Sequence, residues 1–156
     1  RMDGKTPTSH EIETWRLEGG IVERREPGVV FATTGTAAGE VDFPETGTYV
    51  IGVLASGTAC EGVYPVVQIS VDDKPLGLAS LRQADWHTVT AFGQVEKGRH
   101  KVTVAFVNDG TNAERREDRN LTIDRVLVAR DRRGDDEVLL TAPAAAVVVE
   151  RGRGRV

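Results

Sequence analysis

The chain has 156 residues, which is the size of one domain and long enough to bury a hydrophobic core. Its formal net charge of -4 at pH 7 argues against nucleic acid or an anionic membrane as a partner, because both require a basic protein face. No run of about eighteen apolar residues occurs, so the sequence predicts no membrane-spanning helix.

Period-two alternation of apolar and polar residues dominates the chain, and no window carries a sustained helical stripe. The alternation predicts nine strands, separated by turns rich in Gly, Pro and Asp. Their predicted bounds are 13–17, 29–33, 39–43, 47–55, 65–71, 74–78, 87–95, 98–107 and 121–129. We therefore predict an all-β domain in which two antiparallel sheets pack as a β-sandwich of the jelly-roll type.

The two ends of the chain differ in composition from its middle. Residues 1–12 are predicted to be a disordered or boundary segment, and residues 13–130 to form the sandwich. After Arg130 a charged stretch, DRRGDD, is typical of a linker. Residues 131–156 are therefore predicted to be a linker followed by appended strands or the start of another module.

Catalytic signatures are weak in this sequence. The three histidines share no metal-ligand spacing, and no serine lies in a GxSxG motif. The single cysteine, Cys60, cannot form an internal disulfide. Trp86 and Trp15 are predicted to pack in the core, since large aromatic residues dominate small cores. The sequence does not indicate an enzyme.

An acidic segment, FVNDGTNAERREDRNLTID, connects the last two predicted strands. Antiparallel pairing of strand 98–107 with strand 121–129 would bring Asp109 and Asp118 to one end of a sheet. Glu61 lies in a glycine-containing loop, ASGTACEGVYP, and would become a third ligand if that loop lies beside them. Calcium prefers such oxygen ligands, and this interpretation also suits Arg119, which could neutralise a neighbouring carboxylate or pair with Glu114. The alternative is a solvated acidic loop that holds no ion.

The same segment, from FVND through a variable loop to EDRNLTID, resembles the signature of calcium-dependent, xylan-binding carbohydrate-binding modules, families thirty-six and sixty. Further similarity lies in GTYVIGVLASG, in VYPVVQISVDDKPLG and in VEKGRHKVTVAFVND, and it covers about residues 13–130. The resemblance implies a β-sandwich that holds calcium and that binds polysaccharide through two vicinal sugar hydroxyls on the ion.

The resemblance also implies site residues. Asp109, Asp118 and Glu61, with the backbone carbonyl of Glu117, are the expected calcium ligands. Tyr64 and Asn120, together with Asp109, Asp118 and Glu61, are expected at the sugar. Related modules hold a second, structural calcium, for which Glu18 and Asp124 match loosely.

Two functions follow as alternatives. The first is a non-catalytic, extracellular or cell-surface accessory module that binds a glycan and is attached to other domains. The second is a structural or protein-interaction module in which calcium only rigidifies loops. The second alternative is favoured by the aromatic content of 5%, because flat aromatic rings are the usual platform for a sugar.

Overall fold

A computed structural model of the chain describes residues 7–132. Within them the chain forms thirteen β-strands and one 3₁₀ helix, Ile12–Thr14. The strands are β1 (Thr8–Glu11), β2 (Arg16–Gly19), β3 (Val22–Arg25), β4 (Gly28–Phe31), β5 (Gly35–Phe43), β6 (Gly47–Gly57), β7 (Val66–Val71), β8 (Lys74–Ser80), β9 (His87–Val95), β10 (Gly98–Phe106), β11 (Gly110–Asn112), β12 (Glu117–Arg119) and β13 (Leu121–Arg130).

The long strands form two antiparallel sheets. The six-stranded sheet has the order β3-β4-β13-β6-β9, and β1 pairs with the second half of β13. The five-stranded sheet has the order β2-β5-β10-β7-β8, and β11 and β12 form a separate hairpin. The predicted antiparallel β-sandwich is confirmed. No helix among residues 7–132 is long and apolar enough to cross a membrane.

Alternating apolar side chains from both sheets meet between them. Tyr49, Ile51 and Val53 of β6 are at most 2% exposed, and Val104 and Phe106 of β10 are fully buried. Burial of one such side chain contributes about 1.5–3 kcal/mol to the free energy of unfolding. These two strands therefore hold the sheets together, as their alternation predicted.

Trp15 packs in this core, as predicted, and is 6% exposed. Its indole lies directly on Gly39 of β5, where an added Cβ would come within 2.5 Å of the ring. The large side chain of Trp15 can therefore pack in the core only because residue 39 is a glycine.

The predicted pairing between β10 and β13 is wrong. β10 lies between β5 and β7 in one sheet, whereas β13 lies beside β6 in the other, with β4 and β1 sharing its second edge. Both strands carry a buried apolar face, but such a face points to the core from either sheet and does not determine which sheet a strand joins. The acidic segment is consequently a crossing from one sheet to the other, and the hairpin β11–β12 lies within it.

The predicted boundary at residues 1–12 is also wrong in part. Thr8–Glu11 pairs with β13, and Ile12 is fully buried. The strand escaped prediction because its residues, TSHE, carry no apolar alternation. At the other end the backbone N–H of Asp131 donates to Thr48 O at 2.9 Å, whereas the remainder of the predicted linker and appended strands, residues 133–156, lies outside the described residues.

Candidate functional site

Three loops meet at one end of the sandwich, which we call the crossing end. They are the crossing segment (residues 107–120), the loop of residues 58–64 after β6, and the loop of residues 81–86 after β8. Thr58 N donates to Asn120 O at 3.0 Å, and Gly57 N donates to Ala84 O at 3.1 Å. The acidic segment and the Glu61 loop are therefore neighbours.

Within the crossing segment, the hairpin β11–β12 places Gly110 opposite Arg119 and Thr111 opposite Asp118. Asp109 and Asn120 each lie one residue beyond the first of these pairs, at the base of the hairpin. Because residues opposite one another in an antiparallel pair share a face, the hairpin directs Asp109 and Asn120 to one region.

Asp109 and Asn120 each carry a buried oxygen that lacks a partner. Asp109 Oδ1 and Asn120 Oδ1 are both inaccessible to solvent and accept no hydrogen bond. An unsatisfied buried acceptor costs about 1–3 kcal/mol, so native proteins rarely retain two at the base of one hairpin without a reason. A carboxylate oxygen and an amide oxygen are ligands that calcium prefers. Asp109 Oδ1 and Asn120 Oδ1 are therefore suitable ligands for a calcium ion.

Glu61 lies beside Glu117, across the gap between two loops. The backbone N–H of Glu61 donates to Glu117 Oε1 at 2.7 Å, and Glu61 Oε2 accepts from Asn112 Nδ2 at 2.8 Å. Glu117 also pairs with Arg115 Nε at 3.3 Å. The φ of Glu61 is 54°, a left-handed conformation that is uncommon outside glycine and that clusters at functional sites.

Asp118 contributes its backbone to the same end while its side chain is exposed. Its carbonyl accepts a hydrogen bond from Thr58 Oγ1 at 2.6 Å, and the same hydroxyl accepts from Asn120 N at 2.9 Å. Alternation along the hairpin turns the Asp118 side chain to the face opposite Glu117. Among residues 7–132, no three or more His, Cys, Asp or Glu side chains are grouped so as to hold a metal ion.

Arg119 is a residue of this site that sequence reasoning misjudged. Its guanidinium is buried and binds three backbone carbonyls, those of Cys60 and Val63 at 2.7 Å each and that of Asn108. The expectation that Arg119 neutralises a neighbouring carboxylate does not describe these contacts. Nothing in the residue pattern distinguishes an arginine that binds carbonyls from one that pairs with acids.

Two aromatic residues lie near the crossing end. Tyr64 is half-buried against the core, and its carbonyl accepts from Asn108 Nδ2 at 3.1 Å. The prediction that Trp86 packs in the core is wrong, since its side chain is 43% exposed. Trp86 ends the loop of residues 81–86, which is anchored where Leu81 N donates to Pro65 O at 2.9 Å.

The residues predicted for a second ion lie in different sheets. Glu18 is on β2 and pairs with Arg16 at 3.1 Å, while Asp124 is on β13 and pairs with Arg125 at 3.1 Å. The second ion stays a prediction. Sequence reasoning passed over Glu13, whose Oε1 is buried without a hydrogen-bond partner.

The crossing end thus combines two buried oxygens that lack a hydrogen-bond partner, several acidic side chains and an exposed indole. The model of a family described as a Ca-dependent, xylan-binding carbohydrate-binding module, CBM60, matches residues 50–138. The chain belongs to this family. It is a non-catalytic carbohydrate-binding module, and the calcium dependence is that of the family as described.

Solved structures show the same fold. A family 36 carbohydrate-binding module, solved in complex with calcium and xylotriose, superposes on the module with a TM-score of 0.63 at 13% identity, covering 78% of this chain and 98% of the other. A family 36 domain of a multidomain xylanase from the hindgut metagenome of Trinervitermes trinervoides also gives 0.63, at 12% identity and coverages of 78% and 95%.

A third similar structure is a much larger enzyme. In a Paenibacillus cycloisomaltooligosaccharide glucanotransferase the similar region is 18% of that chain and 77% of this one, with a TM-score of 0.57 at 16% identity. No curated protein matches this chain in sequence. At these identities the structural neighbours establish the sandwich fold.

Proposed function

We propose that the module binds xylan-type polysaccharide at the crossing end, through a calcium ion held by Asp109, Asn120 and Asp118. The observation that carries the proposal is the pair of buried, unpartnered oxygens on Asp109 and Asn120. A divalent cation would satisfy both acceptors at once and would offset their desolvation. Asp118 is the further carboxylate on the same face of the hairpin.

Glu61 and the carbonyl of Glu117 complete the predicted ligand set. Hydrogen bonds already hold both residues at the edge of the site, and the left-handed backbone of Glu61 is fixed by the contact of its N–H with Glu117. When bound, calcium supplies a hard Lewis-acid centre on which sugar hydroxyls can replace water. The orientation of the two hydroxyls then determines which sugars bind.

Trp86 and Tyr64 are the aromatic residues proposed to contact the sugar. Trp86 ends the loop of residues 81–86, which is hydrogen-bonded to Gly57 and Pro65 on either side of the Glu61 loop. Its exposed indole offers an apolar face on which a pyranose ring can pack. Tyr64 is held more deeply, so it shapes the floor of the site rather than a platform.

The family supports an accessory role for this module rather than a catalytic one. Its similarity to part of a much larger glucanotransferase supports attachment to other domains in a parent protein. Polysaccharides of the xylan class lie outside cells, so we place the module in an extracellular or cell-surface protein.

Calorimetric titration with xylo-oligosaccharides, in calcium and then in excess chelator, tests the function. We expect binding in calcium, none in chelator, and full recovery when calcium is restored. Asp109→Ala should abolish both calcium and glycan binding. Glu114→Ala, which alters an exposed carboxylate of the same segment, should leave both unchanged. Binding that persists in chelator would refute the proposed mode.

A purely structural ion remains the second candidate. Glu61 already bonds to Glu117 and Asn112 of the crossing segment, and such contacts between the two loops would suit an ion that only rigidifies the crossing end. In that case calcium raises the melting temperature while xylans, glucans, mannans and galactans all fail to bind. Glycan binding in calcium would exclude this candidate.

A further inference from the structure

Arg119 lies at the centre of the crossing end, yet it makes no hydrogen bond to any of the side chains that are proposed to bind calcium. Its Nε donates to Val63 O and its Nη2 to Cys60 O, both at 2.7 Å, and its Nη1 donates to Asn108 O. Two of these carbonyls belong to the loop that carries Glu61, and the third immediately precedes Asp109. One side chain thus joins the two segments that supply the predicted ligands.

The geometry of these contacts requires arginine. A buried charge is costly unless hydrogen bonds satisfy it, and three carbonyl dipoles converge on this guanidinium. Its planar fork carries five N–H donors in fixed directions, whereas a lysine ammonium is a compact point charge with donors on one atom. Lysine at position 119 would keep the charge but could not hold all three carbonyls.

Gly110 makes room for this contact. It lies opposite Arg119 in the hairpin, and a Cβ added there would come within 2.9 Å of Arg119 Nη1. That distance is shorter than real Cβ contacts, so an alanine would displace the nitrogen that binds Asn108 O.

Two neutral side chains support the same junction. Asn108 accepts from Val66 N at 2.8 Å and donates to Tyr64 O, while Thr58 bridges Asp118 O and Asn120 N. None of these contacts involves a metal ion. The backbone of the crossing end is therefore held together by groups that are present whether or not calcium is bound.

We propose that Arg119 is a positioning residue that pre-organises the calcium end of the module. It acts as a permanent internal cation that fixes the Glu61 loop against the Asp109 segment before the ion arrives. Carboxylates brought together without a cation repel one another, and a loop free to separate would have to be reassembled by the ion. The inference rests on the proposed function, because it assigns Arg119 a role in that same site.

Cys60 provides a reporter that does not depend on calcium. Its thiol is buried, and its carbonyl is one of the three that Arg119 binds. Separation of the two segments would expose the thiol to a labelling reagent such as dithionitrobenzoate. The rate of labelling in chelator therefore measures how often the loop of residues 58–64 opens in the metal-free module.

The test compares Arg119→Lys and Gly110→Ala with the wild-type module. Arg24→Lys is the matched control, because Arg24 also binds two carbonyls, Glu13 O and Trp15 O, but lies on β3. In metal-free Arg119→Lys we expect only about a tenth of the molecules to hold the two loops in the calcium-binding conformation. The apparent calcium affinity of this variant then falls about tenfold. Cys60 labelling in chelator should accelerate in parallel.

Further results distinguish positioning from a general loss of stability. Gly110→Ala should shift both quantities in the same direction by less, and Arg24→Lys should shift neither, even where it lowers the melting temperature. In saturating calcium, Arg119→Lys should regain the wild-type affinity for xylo-oligosaccharide and the wild-type protection of Cys60, because the bound ion then holds the loops.

A folded Arg119→Lys module with wild-type calcium affinity and wild-type labelling would overturn the inference. If that variant does not fold, Gly110→Ala decides, and wild-type values for it would likewise overturn the inference. Failure of the proposed function gives a different result: the wild-type module itself binds no calcium, while the labelling rates in chelator still report whether Arg119 holds the loop.

Discussion

Removal of the Asp109 carboxylate should change stability in opposite directions with and without calcium. Asp109 Oδ1 is a buried acceptor without a hydrogen bond, and such a group costs about 1–3 kcal/mol. Asp109 is only half-buried, so we take about 1 kcal/mol, the lower end of that range. Asp109→Ala should therefore stabilise the metal-free module by about 1 kcal/mol.

Calcium reverses the order of stability. At calcium a hundredfold above its Kd, binding adds about 2.7 kcal/mol to the wild type and nothing to the variant. The variant is then less stable by about 1.7 kcal/mol, which is the difference between the two contributions. For a domain of this size 1 kcal/mol corresponds to about 4 °C in Tm, so we expect about +4 °C in chelator and about −7 °C in calcium.

Differential scanning calorimetry of both proteins, in chelator and in calcium, measures these shifts. Glu114→Ala should follow the wild type in both buffers, because its carboxylate is exposed. The reasoning is refuted if Asp109→Ala melts below the wild type in chelator and keeps the full calcium-induced shift. The unpartnered oxygen would then carry no cost, and the ion would bind elsewhere.

Three further perturbations test other parts of the structure. The hydrogen bond from His100 Nδ1 to Asp72 Oδ2 at 2.6 Å raises the pKa of His100, and its Nε2 contacts Glu96 O. The resulting stabilisation is complete below about pH 6.5 and is lost as pH rises through the raised value, so His100→Gln should flatten the dependence of Tm on pH in that window. Retention of the slope in the variant would contradict this. Trp86→Ala should weaken xylo-oligosaccharide binding about tenfold, or about 1.4 kcal/mol, without changing the calcium affinity, and an unchanged glycan affinity by calorimetry would remove Trp86 from the site. Ile51→Ala, at a fully buried position, should cost about 2–5 kcal/mol in denaturant unfolding, and a loss below 1 kcal/mol would contradict the packing of the core.

The long strands could be predicted from the sequence because their burial follows a simple period. The large apolar residues Tyr49, Ile51 and Val53 recur at every second position of β6 and are buried, so a period of two identifies the inward face of this strand. The strand Val22–Arg25 carries a single apolar residue, so it has no such signal and forms because β4 offers it an edge. Strand pairing was harder to predict, since an inward face does not say which sheet a strand joins.

The sequence motif singles out the acidic residues proposed for the site, but it does not reveal the contacts that hold their loop. Asp109, Asp118 and Asn120 stand out because they belong to a motif, and their role as ligands stays a prediction. The proximity of the Glu61 loop was only a condition in the sequence, and the structure shows it through contacts between the two loops. Arg119 binds carbonyls that come from residues far away in sequence, so its partners exist only once both loops are folded. Trp86 was misassigned because its size favours the core, whereas its position on a surface loop determines its exposure.

A crystal structure of the module grown with calcium and a xylo-oligosaccharide tests the central claim most directly. The account predicts an ion bound to Asp109 Oδ1 and Asn120 Oδ1, with two adjacent sugar hydroxyls on the same ion and Arg119 still bonded to its three carbonyls. An ion bound elsewhere, or both oxygens left without a cation at saturating calcium, would contradict it.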